Sequence, residues 1–132
     1  MITAHIQSEH YKTLLTNGRH TLIADESLEN KGLDKGMAPS ELLLSALGAC
    51  TAITLRMYAD RKEWPLRDVR VQLELDPKQE AGQTGRNITR TIHLEGDLDE
   101  SQRQRLMEIA EKCPVHLLLT GQIGITTTEN VT

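Results

Sequence analysis

The sequence has no phenylalanine, one tryptophan and two tyrosines among its 132 residues. So few rings leave little on which to stack nucleobases. With a net charge of −4 and basic residues scattered along the chain, no nucleic-acid surface is expected. Proline is scarce, four in all, and no Pro-, Gly- or Ser-rich linker divides the chain, so residues 1–132 are expected to form a single domain with its own core. The opening MITAHIQSEHY lacks the basic start and apolar stretch of an export signal, which points to the reducing cytoplasm. The only two cysteines, Cys50 and Cys113, are not expected to form a permanent structural disulfide there. On composition alone they read as buried thiols behaving as small hydrophobes.

What the sequence does contain is PSELLLSALGACTAITLRMYADRK, residues 39–62, with Pro39, Ser40 and Glu41 as a helix start and Trp64-Pro65 as a stop. Turned at the helical period, Leu43, Ala46, Leu47, Ile53, Thr54 and Met57 fall on the side of Cys50, so its thiol is expected to face inward. Leu42, Ala49, Ala52 and Leu55 make the opposite side apolar as well, so the segment reads as a central helix covered all round. Ser45, Gly48, Thr51 and Thr54 interrupt it, and Arg56, Asp60, Arg61 and Lys62 follow. It is therefore expected to be too short for a membrane span, which needs about 20 apolar residues.

Around this helix the pattern is that of strands. Ile2, Ala4 and Ile6 alternate with polar residues, a second strand is expected at residues 10–16, and Asn17-Gly18 marks a tight hairpin into a third. A loop, ESLENKGLDKGMAP, leads to the helix. Beyond it, Val69, Val71, Leu73 and Leu75 alternate as a strand. A polar connection from Asp76-Pro77 to Gly85 follows, and then a strand with Ile88, Ile92 and Leu94 on one face and Thr89, Thr91 and His93 on the other. Asp99 and Gln102 form a capping-box pattern opening a second helix, whose apolar face runs Leu106, Ile109, Ala110, Cys113. Pro114 places Cys113 at a break before a short turn, PVHLLLTG, and QIGITTT reads as a final strand. The fold class is α+β.

A thiol that attacks a peroxide must be a thiolate, and an ordinary cysteine is only a few per cent ionised at neutral pH. An arginine within about 4 Å contributes on the order of 4 kcal/mol at an effective dielectric near 20, enough to offset moderate burial. A carboxylate to hold that arginine would complete such a site. Glu41 and Arg19 are the candidates, although Glu41 also suits the helix macrodipole and Arg19 also suits a solvated strand. Arg56 and Arg61 are further sources of charge.

MAPSELLLSALGACTAITLRMYADRK, AEKCPV and the opening GRHTLIADES together resemble the OsmC/Ohr family of osmotically induced and organic hydroperoxide resistance proteins, over nearly the whole chain. The resemblance implies an α+β fold of two sheets around a long buried central helix, with protomers intertwined as a homodimer. It implies a thiol-dependent peroxidase in which Cys50 is the peroxidatic and Cys113 the resolving cysteine, with no bound cofactor. The Cys50–Cys113 disulfide would be reduced by an external dithiol, which in the family is often lipoyl-based. Family peroxidases carry their arginine-positioning glutamate where this chain has Ser40. Glu41, the nearest substitute, is turned about 100° away on an ideal helix.

Two other readings differ in class. Cys113-Pro-Val-His116 has metal-ligand spacing, but a structural zinc site needs four ligands and no second short pair exists, so no metal is expected. The other is an OsmC-like dimer with little peroxidase activity that binds a small apolar ligand, a reading the Ser40 departure favours.

Overall fold

Asn17 and Gly18 turn the chain as the hairpin signal predicts. The Asn17 Oδ1 accepts the backbone N–H groups of Arg19 and His20 at 3.0 and 2.8 Å, and Gly18 takes a φ of +97°. In this computed structural model, which describes residues 1–78 and 80–131, β2 (Thr13–Thr16) and β3 (Thr21–Ala24) flank that turn, with Thr16 opposite Thr21. β1 (Thr3–Ile6) pairs antiparallel with β2, giving the sheet order β1-β2-β3. The second strand begins at Thr13 rather than at residue 10. His10 sits at φ 48°, and Lys12 N–H bonds to Glu9 O, a turn that no strand can contain.

The chain folds as two compact units, Met1–Ser45 and Ala46–Thr132, and α1 (Pro39–Lys62) runs from the first into the second. Its bounds match the expected helix. Buried Asp25 organises the loop before it: its carboxylate accepts the backbone N–H groups of Glu26 and Lys35, while its own N–H bonds to Met37 O.

The buried side of α1 differs from expectation. Leu47, Thr51, Leu55 and Ala59 are buried, four residues apart, whereas Cys50 is only half-buried and Ile53 and Met57 are 55% and 62% exposed. A helix apolar on every side carries no preference of its own, so tertiary packing chose a stripe one residue round from Cys50. Nor is α1 covered on all sides by this chain. At 24 residues it is long and apolar enough, by length and composition, to cross a bilayer, which corrects the expectation that it is too short. Its buried residues nonetheless pack into protein: Leu55 and Ala59 join Leu66, Leu106, Ile109 and Ala110 in one core, as in a core helix.

In the second unit β4 (Leu66–Leu75) and β5 (Ile88–Gly96) pair antiparallel, Leu75 opposite Ile88 and Leu66 opposite Gly96, with an irregularity between Leu66 and Asp68. Their faces alternate as predicted. Gly48 lets α1 approach β4 closely, since a Cβ there would lie 2.8 Å from a Leu73 methyl. The expected polar connection joins β4 to β5; Gln79 within it lies outside the described residues. α2 (Glu100–Ala110) opens on the full Asp99/Gln102 capping box and buries Leu106, Ile109 and Ala110. Arg103 pins it to β5 by donating to Leu94 O and Gly96 O, both at 3.1 Å.

Two expectations near the C-terminus are corrected. PVHLLLT is a helix, α3 (Pro114–Thr120), not a turn: Pro114 occupies its first position and Cys113 its N-cap. QIGITTT forms no strand among the described residues. Ile123 and Ile125 are 50% and 86% exposed, so the alternation finds no sheet edge to pair with.

Candidate functional site

The alternation that makes β5 a strand also places Arg90 on its inner face, between Ile88 and Ile92. A guanidinium at an inward strand position needs partners, and Arg90, 11% exposed, has three. Its Nη1 donates to Thr51 Oγ1 on α1 at 3.0 Å, its Nη2 meets His116 Nδ1 on α3 at 3.1 Å, and Nη2 lies 3.8 Å from Glu111 Oε1 at the end of α2. His116 Nε2 lies 2.9 Å from Glu111 Oε2.

Cys113 adjoins this network. Its sulfur is fully buried, accepts the backbone N–H of His116 at 3.3 Å and lies 3.9 Å from Thr51 Oγ1. Thr51 donates its own proton to Leu47 O at 2.7 Å, so toward Arg90 and Cys113 it acts as an acceptor. A cavity of about 430 Å³ opens beside these groups, lined by Leu47, Arg86, Asn87, Ile88, Arg90, Glu111, His116, Leu119 and Thr120.

Of the four residues nominated from the sequence, Arg19 and Glu41 lie in the first unit and Cys50 and Cys113 in the second. Cys113 faces the core as expected, and both thiols are free. Cys50 lies on the half-buried face of α1, next in sequence to Thr51. Glu41 Oε1 accepts the backbone N–H of Ala38 at 2.9 Å, closing the start of α1. Arg19 is exposed in the hairpin turn and makes no ion pair among the described residues. Of the further arginines, Arg56 donates to the Leu66 and Arg67 carbonyls, and Arg61 lies over the Tyr58 ring.

Arg90, Thr51 and Glu111 are absent from that sequence-derived set. The signal for Arg90 was present as a charge in an inward strand position; Thr51 and Glu111 carry none, because their roles depend on Arg90. His116, weighed as a metal ligand, is instead held through both ring nitrogens by Arg90 and Glu111. Among the described residues no group of three or more His, Cys, Asp or Glu side chains is placed to hold a metal ion.

The family model for OsmC-like protein matches residues 32–128. The chain belongs to the OsmC-like family. A search of curated proteins gave no match. Among solved structures, it is similar to an OsmC-like protein from Mycoplasma pneumoniae, with TM-score 0.80 and 20% identity over 92% of this chain and 86% of that one. The organic hydroperoxide resistance protein OsmC of Legionella pneumophila gives TM-score 0.66 and 22% identity over 92% of this chain and 88% of that one. The organic hydroperoxide resistance protein OhrB of Bacillus subtilis gives TM-score 0.65 and 19% identity over 92% and 90%. At these identities the likeness establishes the OsmC-like fold.

Proposed function

We propose that this OsmC-like protein is a thiol-dependent peroxidase that reduces organic hydroperoxides to alcohols. The observation that supports this reading is that both thiols are free and that buried Cys113 lies 3.9 Å from the hydroxyl of Thr51, the residue that follows Cys50. The Cys50 thiolate attacks the distal peroxide oxygen, the O–O bond breaks, and the alkoxide leaves as an alcohol once protonated. The Cys50 sulfenic acid then condenses with Cys113, releasing water and forming a disulfide that an external dithiol, such as a lipoyl group, reduces. Because Cys113 Sγ rests against Thr51, it must travel around the helix by about one residue's rotation, roughly 100°, to meet Cys50.

A homodimer in the cytoplasm completes the reading. Cys50, Ile53 and Met57 share one outward face of α1, and a second copy of the chain would cover it. By the family resemblance alone this reading assigns Arg19 and Glu41 to the activation of Cys50, and a double-mutant cycle on its reactivity tests the assignment, with coupling of about 0.5 kcal/mol or more expected. Additive effects would transfer that role to Arg56 or Arg61.

A second reading, an OsmC-like binding protein with slow thiols, is favoured by Ser40 at the family's glutamate position and by an apolar-sided cavity of about 290 Å³ within the first unit. Ile2, Leu15, Leu22 and Leu42 line it. Mixing the purified protein with cumene hydroperoxide and a dithiol separates the two. Peroxidase predicts catalytic consumption that Cys50→Ser abolishes, and a single turnover ending in sulfenic acid for Cys113→Ser. No consumption by the parent protein sinks the peroxidase reading.

A further inference from the structure

Four elements meet at Arg90: it lies on β5 and touches Thr51 on α1, Glu111 at the end of α2 and His116 on α3. Of the two charged groups in this network, Arg90 and Glu111, Arg90 is the one withdrawn from water. Glu111 is 64% exposed, and one of its oxygens is engaged by His116, so its charge is largely screened, whereas Arg90 is 11% exposed. α1 contributes no charge here, only the Thr51 hydroxyl.

We propose that Arg90 is a positioning residue for Cys113, acting through Thr51 to stabilise the negative charge on the Cys113 sulfur as it gives up its proton, the step that readies it to attack the Cys50 sulfenic acid. This rests on the thiol-pair reading above and adds to it a residue that the family resemblance did not nominate. In the reduced protein the Thr51 proton is committed to Leu47 O, leaving Oγ1 to accept from Arg90 at 3.0 Å and from the Cys113 S–H at 3.9 Å. When Cys113 gives up its proton, Oγ1 loses that donor and the hydroxyl is free to rotate and donate to the sulfur. Arg90 keeps the oxygen polarised while it does so. The step balances: the S–S bond forms, the S–O bond of the sulfenic acid breaks, and the departing hydroxide takes the Cys113 proton to leave as water.

The test uses the full chain and follows two events separately: oxidation of Cys50 by cumene hydroperoxide, and formation of the disulfide. Arg90→Met is expected to slow disulfide formation about tenfold or more, leave Cys50 oxidation within about twofold of the parent, and raise the yield of Cys50 sulfinic acid under excess peroxide. Arg90→Lys, which keeps the charge, restores the rate to within about threefold, and Thr51→Val, which removes the hydroxyl at similar volume, slows disulfide formation as Arg90→Met does. Equal slowing in Arg90→Met and Arg90→Lys identifies Arg90 as a mere structural tie and overturns the proposal, as does an unchanged rate in Arg90→Met.

Diamide keeps this test separate from the peroxidase reading. It adds to the Cys50 thiolate, and Cys113 then displaces the hydrazine, the same attack without a peroxide. If the parent ignores hydroperoxide but diamide closes the disulfide more slowly in Arg90→Met than in the parent, the peroxidase reading fails and the role of Arg90 stands. If diamide closes no Cys50–Cys113 disulfide in the parent, the role of Arg90 falls. Thermal unfolding of each variant confirms that a folded protein is being compared; should Arg90→Met not fold, the Thr51→Val and Thr51→Ser pair decides, with recovery expected only in serine.

Discussion

His116 and Glu111 share a hydrogen bond whose direction is fixed by a third residue. Arg90 can only donate, so His116 Nδ1, 3.1 Å from its Nη2, must be the acceptor, and the single ring proton sits on Nε2, donated to Glu111 Oε2 at 2.9 Å. In this arrangement the imidazole is neutral and bridges a cation to a carboxylate.

The first prediction follows directly. Nitrogen-15 NMR of the reduced protein at pH 8 should show His116 Nδ1 as the unprotonated ring nitrogen and Nε2 as the protonated one. A proton on Nδ1 would contradict the arrangement. Glu111→Ala should lose less than about 1 kcal/mol of stability, because Glu111 is largely exposed. Arg90→Met should cost more, about 1–3 kcal/mol, since it leaves Thr51 and His116 without their buried donor.

Asp25 makes stability depend on pH. Burial pushes its carboxyl up, but the backbone N–H groups of Glu26, Lys35 and Leu33 outweigh that and hold it below the usual carboxylate range. A depressed folded value stabilises the protein above the unfolded value of about 3.9, and the contribution is lost as pH falls through the folded value. Urea unfolding between pH 3 and 7 should therefore show Asp25→Asn less stable than the parent at neutral pH, with the gap narrowing below about pH 4. A gap independent of pH would rule this out.

Tyr58 lies where Arg105 Nε donates to its phenolic oxygen at 3.0 Å, with the cationic groups of Arg61, Lys62 and Arg105 over its ring at 5.9, 5.7 and 5.6 Å. The Arg105 hydrogen bond, more than any other contact, pulls the phenol below its ordinary value. In a Tyr11→Phe background the ultraviolet titration of the remaining tyrosine should begin at lower pH than in a model peptide and move upward on Arg105→Met. An unmoved titration would remove Arg105 as the cause.

Two glycines should respond very differently to alanine. Gly96 stands at φ +154° beside the β4–β5 irregularity, where an added Cβ would lie 2.1 Å from Pro65 O. Gly18, at φ +97°, has nothing within 4 Å of an added Cβ. Gly96→Ala is expected to cost on the order of 3 kcal/mol or more, combining strain with a backbone clash, whereas Gly18→Ala should cost about 1 kcal/mol from conformation alone. Chemical denaturation of both variants makes the comparison, and equal losses would refute it.

The sequence by itself determined the elements whose signals are local. The Asn17-Gly18 hairpin, the bounds of the Pro39–Lys62 helix, the Asp99/Gln102 capping box, the alternation of both long strands and the inward thiol of Cys113 all follow from turn chemistry, caps and period, each complete within a few neighbouring residues. Tertiary structure alone decided which side of α1 is buried, because a helix apolar all round presents no stripe to choose. It also decided that QIGITTT stays unpaired, since alternation equips a segment for a sheet without supplying an edge. Above all it made Thr51 and Arg90 partners: they stand 39 residues apart, and no periodicity links a helix hydroxyl to a strand guanidinium until the packing of α1 on β4 and β5 brings them to 3.0 Å.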